Sequence, residues 1–173
     1  MFRHTIPAAA LLAMAGTSAL AHVTLETREA SVGGGDKAVL RVPHGCKGSP
    51  TVKVRVQIPE GLIAVKPMPK PGWSVATVKG KYGKAYPYYH NTTLTEGVKE
   101  VAWDGGKLLD EHYDEFVLTG FLAIDLKPDT MLYFPVVQEC EQGVERWIEI
   151  PEAGKSGHDY ESPAPGLKLL PPK

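Results

Sequence analysis

The residue with the most distinctive chemistry is His22, which follows the small-residue sequence Ala19-Leu20-Ala21. This A-x-A pattern ends a leader with a basic start at Arg3 and an apolar run over residues 6–15, both typical of a secretory signal peptide. The run is about half as long as the roughly 20 apolar residues that a membrane anchor needs. The sequence therefore predicts cleavage between Ala21 and His22, and a mature protein in the periplasm or secreted from the cell.

Cleavage would give His22 a free α-amine beside its own imidazole Nδ1. The two nitrogens can then close a six-membered chelate ring on one metal ion. Nitrogen donors in a planar arrangement suit Cu(II), which also heads the affinity order of the divalent metals. Both nitrogens must lose protons to bind, so metal affinity is expected to fall in acid. The alternative is a solvated terminal histidine without a ligand role.

Three other residues are candidates to complete a site at His22. His44 lies in a turn two residues before Cys46, Glu26 shares a strand face with His22 if that segment is extended, and Trp147 could shield a bound ion from water. The competing interpretations are a solvated turn histidine, a solvated strand glutamate and a core tryptophan. The remaining histidines of the mature chain are expected at the surface: His90, His112 and His158.

Two cysteines, Cys46 and Cys140, are present in the whole chain. In an oxidising compartment an isolated pair predicts a disulfide, whereas a thiolate metal site is the competing interpretation. A C-x-x-C pattern is absent, which favours the disulfide. Such a bond would stabilise the fold by about 4 kcal/mol in the chain-entropy model.

Composition argues against several functional classes. The chain has 19 Lys and Arg against 20 Asp and Glu, and loss of the leader with Arg3 leaves 18 against 20. Neither a basic stripe for nucleic acid nor a second apolar run of membrane-spanning length is present. The common hydrolase, zinc-protease, P-loop and dinucleotide motifs are also absent. We therefore expect a protein that is not an enzyme, has no catalytic residues and has no membrane span in its mature part.

The elements that must position these residues are predicted to be short strands. Residues 51–58, TVKVRVQI, alternate strictly between apolar and polar, which is typical of a half-buried strand. Glycine and proline clusters separate this segment from eight further candidates: His22–Arg28, Lys37–Val42, Leu62–Lys66, Trp73–Lys79, Lys99–Trp103, Glu115–Asp125, Met131–Gln138 and Arg146–Ile150. This spacing predicts an all-β, antiparallel β-sandwich. The predicted division is a signal peptide over 1–21, one sandwich domain over 22–165 and a C-terminal tail over 166–173.

Sequence blocks over nearly the whole mature chain resemble the YcnI-like family, also called DUF1775. The blocks are HVTLE, RVPHGC, SPTVKVRVQIPEG, KPMPKPGW, TEGVKEVAWDGGKL, YDEFVLTGFLA and FPVVQECEQGVERWIEIP. The resemblance implies an exported β-sandwich of cupredoxin-like or immunoglobulin-like form.

The resemblance also implies Cu(II) bound by the amine and imidazole of the mature N-terminal histidine, an arrangement called a histidine brace. His22 matches that histidine, and Trp147 matches a tryptophan near the metal. The family glutamate ligand would fall at Gly45, which has no carboxylate, so His44 is the implied substitute.

The resemblance implies copper trafficking or homeostasis, with other periplasmic copper-handling proteins as partners. One alternative is a histidine-brace copper oxidoreductase acting on polysaccharide. The other is a structural or adhesive sandwich that binds no metal.

Overall fold

Short β-strands dominate the computed structural model, which describes residues 22–173. The signal-peptide prediction for residues 1–21 therefore lies outside the described residues. The strands are β1 (Thr24–Leu25), β2 (Glu29–Ser31), β3 (Gly35–Val42), β4 (Thr51–Gln57), β5 (Leu62–Pro67), β6 (Ser74–Tyr88), β7 (Thr92–Leu108), β8 (Asp114–Leu122), β9 (Met131–Tyr133), β10 (Val136–Cys140), β11 (Val144–Trp147) and β12 (Gly166–Leu170). Single 3-10 turns lie at Tyr89–Asn91 and Gly157–Asp159.

Two antiparallel sheets and one smaller sheet make up the described fold. One sheet has the order β1-β3-β8-β5 and the other has the order β11-β10-β4-β7-β6. The smaller sheet has the order β2-β12-β9, in which β2 and β12 are parallel. The predicted all-β sandwich with antiparallel sheets is confirmed.

Alternate side chains of β4 point into the core. Val54 and Val56 are fully buried, while Lys53 and Arg55 on the other side pair with acidic groups of neighbouring strands. A register shift between Thr51 and Lys53 in the pairing with β7 turns Thr51 inward, where it is also fully buried. This bulge places a hydroxyl in the core where the sequence pattern predicts Val52.

The hairpin of β6 and β7 is much longer than the short strands predicted for it. Its polar, glycine-containing outer half, residues 80–98, has no clear apolar alternation, so the sequence pattern does not predict a strand there. Tyr82 and Tyr86 nevertheless turn inward and pack in a second apolar cluster with Ile63 and Phe121. Cross-strand pairing and this cluster extend the strands beyond their sequence pattern.

Two predicted strands have the wrong bounds because the chain changes sheets at the end of one and within the other. Of the segment 22–28, only Thr24–Leu25 is strand (β1, paired with β3); the chain then bends at Glu26 and joins another sheet as β2 from Glu29, which pairs with β12. The segment 131–138 divides at Phe134-Pro135 into β9 and β10, which also belong to different sheets. An apolar pattern does not reveal which sheet a strand joins.

The predicted C-terminal tail is part of the folded domain. Gly166–Leu170 forms β12, the central strand of the smaller sheet, with Leu167 and Leu169 each only 1% exposed. The expected division at Pro165 therefore has no counterpart in the structure, because pairing on both sides holds β12. Within residues 22–173, no helix is both long enough and apolar enough to cross a membrane.

Candidate metal centre

His22 lies at the start of the described chain, directly before β1. Val23 and Leu25 are buried in the main core and fix this end of the chain, while His22 itself is half-buried. Its Nε2 atom is buried and has no hydrogen-bond partner among the described residues. A buried polar atom without a partner is costly. This nitrogen is not part of the chelate that the α-amine would form, because that ring closes through Nδ1.

The imidazole of His22 contacts the indole of Trp147. The two ring centroids are 5.4 Å apart and the ring planes are tilted by 49°. Trp147 is 5% exposed and lies on β11 opposite Val136 of β10. The predicted proximity of His22 and Trp147 is therefore present in this geometry.

A buried glutamine connects Trp147 to the loop that carries His44. The indole Nε1 of Trp147 donates to Oε1 of Gln138 over 3.1 Å. Nε2 of Gln138 in turn donates to the carbonyl oxygen of His44 and to Oγ1 of Thr51, each over 2.7 Å. Because Gln138 is 1% exposed and both ends of its amide are bonded, it fixes the orientation of the indole.

Sequence reasoning did not identify Gln138 as a site residue. It occupies an inward position of β10, in the same row as Val136 and two residues before the disulfide cysteine. The sequence does contain one indication of its role, namely a polar amide at an inward position of a strand whose other inward residue is apolar.

His44 joins this network through its backbone, and its imidazole has other neighbours. Nδ1 lies 2.5 Å from the Gly45 carbonyl oxygen and 3.9 Å from Oδ1 of Asp110. The structure thus places the His44 ring against the loop that follows β7. Its predicted role as a third donor stays a prediction.

Gly45 occupies the position where the family resemblance implies a glutamate. A Cβ atom at Gly45 would collide with the backbone carbonyl of Ser49, because residues 46 and 49 fold back on each other through two backbone hydrogen bonds. This loop has no room for a side chain at position 45. A carboxylate ligand there would require a different loop conformation.

Glu26 is bound to an arginine. It follows the end of β1 in a bend, and Nη2 of Arg41 lies 3.0 Å from its Oε1. The extended strand that would place Glu26 on the face of His22 ends at Leu25, so that part of the prediction is wrong. Arg41 also pairs with Glu115 on β8, so the Glu26 carboxylate belongs to a surface ion-pair network.

The predicted disulfide between Cys46 and Cys140 is confirmed. It joins the turn after β3 to the end of β10 across a sequence separation of 94 residues. Thr51, which accepts from Gln138, also lies beside the sulfur of Cys140. The covalent bond therefore fixes the loop of His44 to the strand of Gln138.

A cleft of about 380 Å³ opens beside His22, where β1, β9 and the loop between β11 and β12 meet. His158, which the sequence placed in a polar surface segment, is exposed and lines this same cleft. His112 is exposed beside Glu111, and His90 is at the tip of the β6–β7 hairpin. The cleft is also lined by Lys155 and Ser156 of the loop between β11 and β12 and by Met131 and Tyr133 of β9.

No three side chains of His, Cys, Asp and Glu form a metal-binding group within residues 22–173. The candidate centre therefore consists of His22 with Trp147 beside it, and not of His22, His44 and Glu26 together. An imidazole next to the terminal amine that cleavage would create is a donor pair suited to copper. These two donors of His22 fit a copper ion.

Comparison with solved structures identifies the class of fold. The chain is similar to an uncharacterized protein from Nocardia farcinica whose crystal structure has an immunoglobulin-like fold, with a TM-score of 0.62. The two sequences are 22% identical, and the alignment covers 86% of this chain and 98% of the other. The protein is thus a β-sandwich of the immunoglobulin-like class, with a histidine and a tryptophan in contact at its N-terminal edge.

The chain belongs to the DUF1775 family, a domain of unknown function, whose family model matches residues 22–169. The match begins at His22 and includes most of β12. No curated protein matches the chain.

Proposed function

We propose that this protein is exported and binds Cu(II) through the α-amine and imidazole of His22 after cleavage at Ala21. The observation that carries the proposal is the contact between His22 and Trp147, which positions the imidazole whose Nδ1 would chelate the ion together with the α-amine. The family match that starts at residue 22 agrees with a mature chain that begins there. Copper is the cargo of the site, and the proposed role is copper trafficking or homeostasis in the periplasm, not catalysis.

Trp147 and Gln138 would position the site. The indole contacts the His22 ring, and its hydrogen bond to Gln138 fixes the orientation of the indole. A fixed apolar wall beside a metal ligand limits water access and defines where the ion can lie. When bound, Cu(II) would supply a positive charge and a preference for planar nitrogen donors.

The test compares Cu(II) titrations of protein that begins at His22 with protein that carries one extra residue before His22. The extra residue converts the amine to an amide and removes one donor, so we expect affinity to fall by at least about tenfold. Trp147 fluorescence and electron paramagnetic resonance give independent signals. Equal affinity of the two forms would contradict the proposal.

A His44→Ala variant then tests the third donor. If the His44 imidazole binds copper, the paramagnetic resonance spectrum of the loaded protein loses the coupling to one nitrogen. An unchanged spectrum assigns His44 to its structural role, in which its carbonyl oxygen accepts from Gln138.

A further inference from the structure

We propose that His158 and Met131 form, together with His22, a position that binds Cu(I) in the cleft. This inference rests on the proposed function, because it assigns further copper donors at the same site. All three residues line one cleft of about 380 Å³. They come from three separate parts of the chain, namely the segment before β1, strand β9 and the loop after β11.

The thioether of Met131 lies at the wall of this cleft. A Cβ atom built on Gly166, which also lines the cleft, would come within 2.7 Å of the Met131 methyl carbon. The side chain of Met131 therefore lies over Gly166, and the residue is 45% exposed, so it is accessible to an ion. Its thioether sulfur is a soft, polarizable metal ligand.

An ordered turn presents His158 to the cleft. The turn is closed by backbone bonds from Asp159 to Ser156 and from Tyr160 to Gly157. The Asp159 carboxylate accepts from both the backbone nitrogen and the hydroxyl of Ser156. These bonds hold the backbone around His158 while its imidazole stays exposed.

The base of this loop is fixed to the sandwich. Glu149 and Ala164 are joined by a backbone hydrogen bond of 2.8 Å, and the Glu149 carboxylate accepts from the Ser162 nitrogen over 2.6 Å. The position of His158 is therefore set by the fold at both ends of the loop, and His158 lines the same cleft as His22.

The donor set explains why Cu(I) is the expected ion. Thioether sulfur selects Cu(I) over harder divalent ions, and imidazole binds both oxidation states. The terminal amine and imidazole of His22 favour Cu(II), whereas Met131 with two imidazoles favours Cu(I). The cleft thereby gives each oxidation state of the cargo its own donors around one shared histidine.

The test is an anaerobic titration of protein beginning at His22 with Cu(I), in competition with the chromophoric chelator bathocuproine disulfonate. His158→Ala and Met131→Leu are each expected to weaken Cu(I) binding by about tenfold or more. Met131→Leu should leave Cu(II) affinity unchanged. X-ray absorption of the Cu(I) form should show a sulfur neighbour that disappears in Met131→Leu.

Matched controls are available on exposed surfaces outside the cleft lining. His112→Ala removes a histidine that is 63% exposed, and Met68→Leu removes a methionine that is 52% exposed. Both should retain wild-type Cu(I) affinity and the sulfur neighbour. Leucine conserves the volume of methionine, and thermal melts check that every variant is folded.

The outcomes separate the inference from the proposed function. Absent Cu(I) binding, or Cu(I) affinities that agree within twofold between wild type and both cleft variants, overturns the inference. Cu(II) affinity that is insensitive to the extra N-terminal residue overturns the proposed function, and the Cu(I) series still reports on His158 and Met131 directly.

Discussion

Trp147 links two parts of the candidate centre through one side chain. Its indole contacts the His22 ring with the two ring planes tilted by 49°, and its N–H donates to buried Gln138. Its burial could be expected from the sequence, since a tryptophan on a strand is usually core. Its partner could not, because Gln138 and Trp147 meet only when β10 and β11 pair.

Replacement of Trp147 by phenylalanine tests this link at the residue scale. The ring contact is largely kept, but Oε1 of Gln138 loses its donor in a buried environment, so the free energy of unfolding should fall by about 1–3 kcal/mol. Urea unfolding followed by circular dichroism measures the change.

Trp73→Phe is the matched control, because no hydrogen bond of the Trp73 indole is described and it packs on Phe116. It removes the same atoms without leaving a buried acceptor unpaired. Similar losses in both variants would show that packing, and not the hydrogen bond to Gln138, sets the stability at Trp147.

At the scale of elements, Glu60 fixes the long β6–β7 hairpin to the loop before β5. Its carboxylate accepts from the Gly83 nitrogen, the Tyr86 hydroxyl and the Lys99 ammonium, all within 2.9 Å. Burial by itself raises the pKa of Glu60, but these three donors outweigh it and lower the pKa overall. Burial raises the pKa of Tyr86, and its hydrogen bond to the Glu60 carboxylate raises that pKa further.

Glu60→Gln should destabilise the protein at neutral pH by a modest amount, below about 1 kcal/mol, because Glu60 is 42% exposed and its ion pair is screened. A lowered carboxyl pKa stabilises the fold above the unfolded value of about 4.3, and this contribution is lost as pH falls through the folded value. The difference between wild type and Glu60→Gln should therefore vanish in acid.

Denaturant unfolding between neutral and acidic pH checks this expectation. Glu96→Gln is the control on the same hairpin, because Glu96 is exposed and has no ion pair among those described. A stability difference for Glu60→Gln that persists below the folded pKa would rule out the ionised carboxylate as its source.

At the scale of the whole molecule, the disulfide between Cys46 and Cys140 joins segments that are distant in sequence. It stabilises the fold by restricting the unfolded chain, by about 4.7 kcal/mol for a loop of this length in the chain-entropy model. Reduction, or replacement of both cysteines by alanine, should lower the thermal midpoint by roughly 10–20 °C. Reductant should not change the thermal midpoint of the double variant. If the oxidised wild type melts at the same temperature as the double variant, the disulfide does not have this stabilising role.

Part of this structure could be predicted from local sequence patterns alone. The β-sandwich class, the inward valines of β4 and the cysteine pairing followed from side-chain alternation, turn residues and cysteine count. Alternation reflects one buried face of a strand, so it identifies the strand without its neighbours. It could not predict the outer half of the β6–β7 hairpin or β12, whose pairing is set by other strands.

The sequence by itself determined the fold class and drew attention to His22 and Trp147 as residues with useful chemistry. Only the tertiary structure decided that these two rings are in contact, that the His44 ring faces Asp110, that Glu26 is paired with Arg41, and that His158 shares the cleft of His22. The physical reason is that strand registers and sheet changes between β1 and β2 and between β9 and β10 bring together residues up to 136 positions apart. The spacing of residues along the chain does not specify the register of a strand or the sheet that it joins.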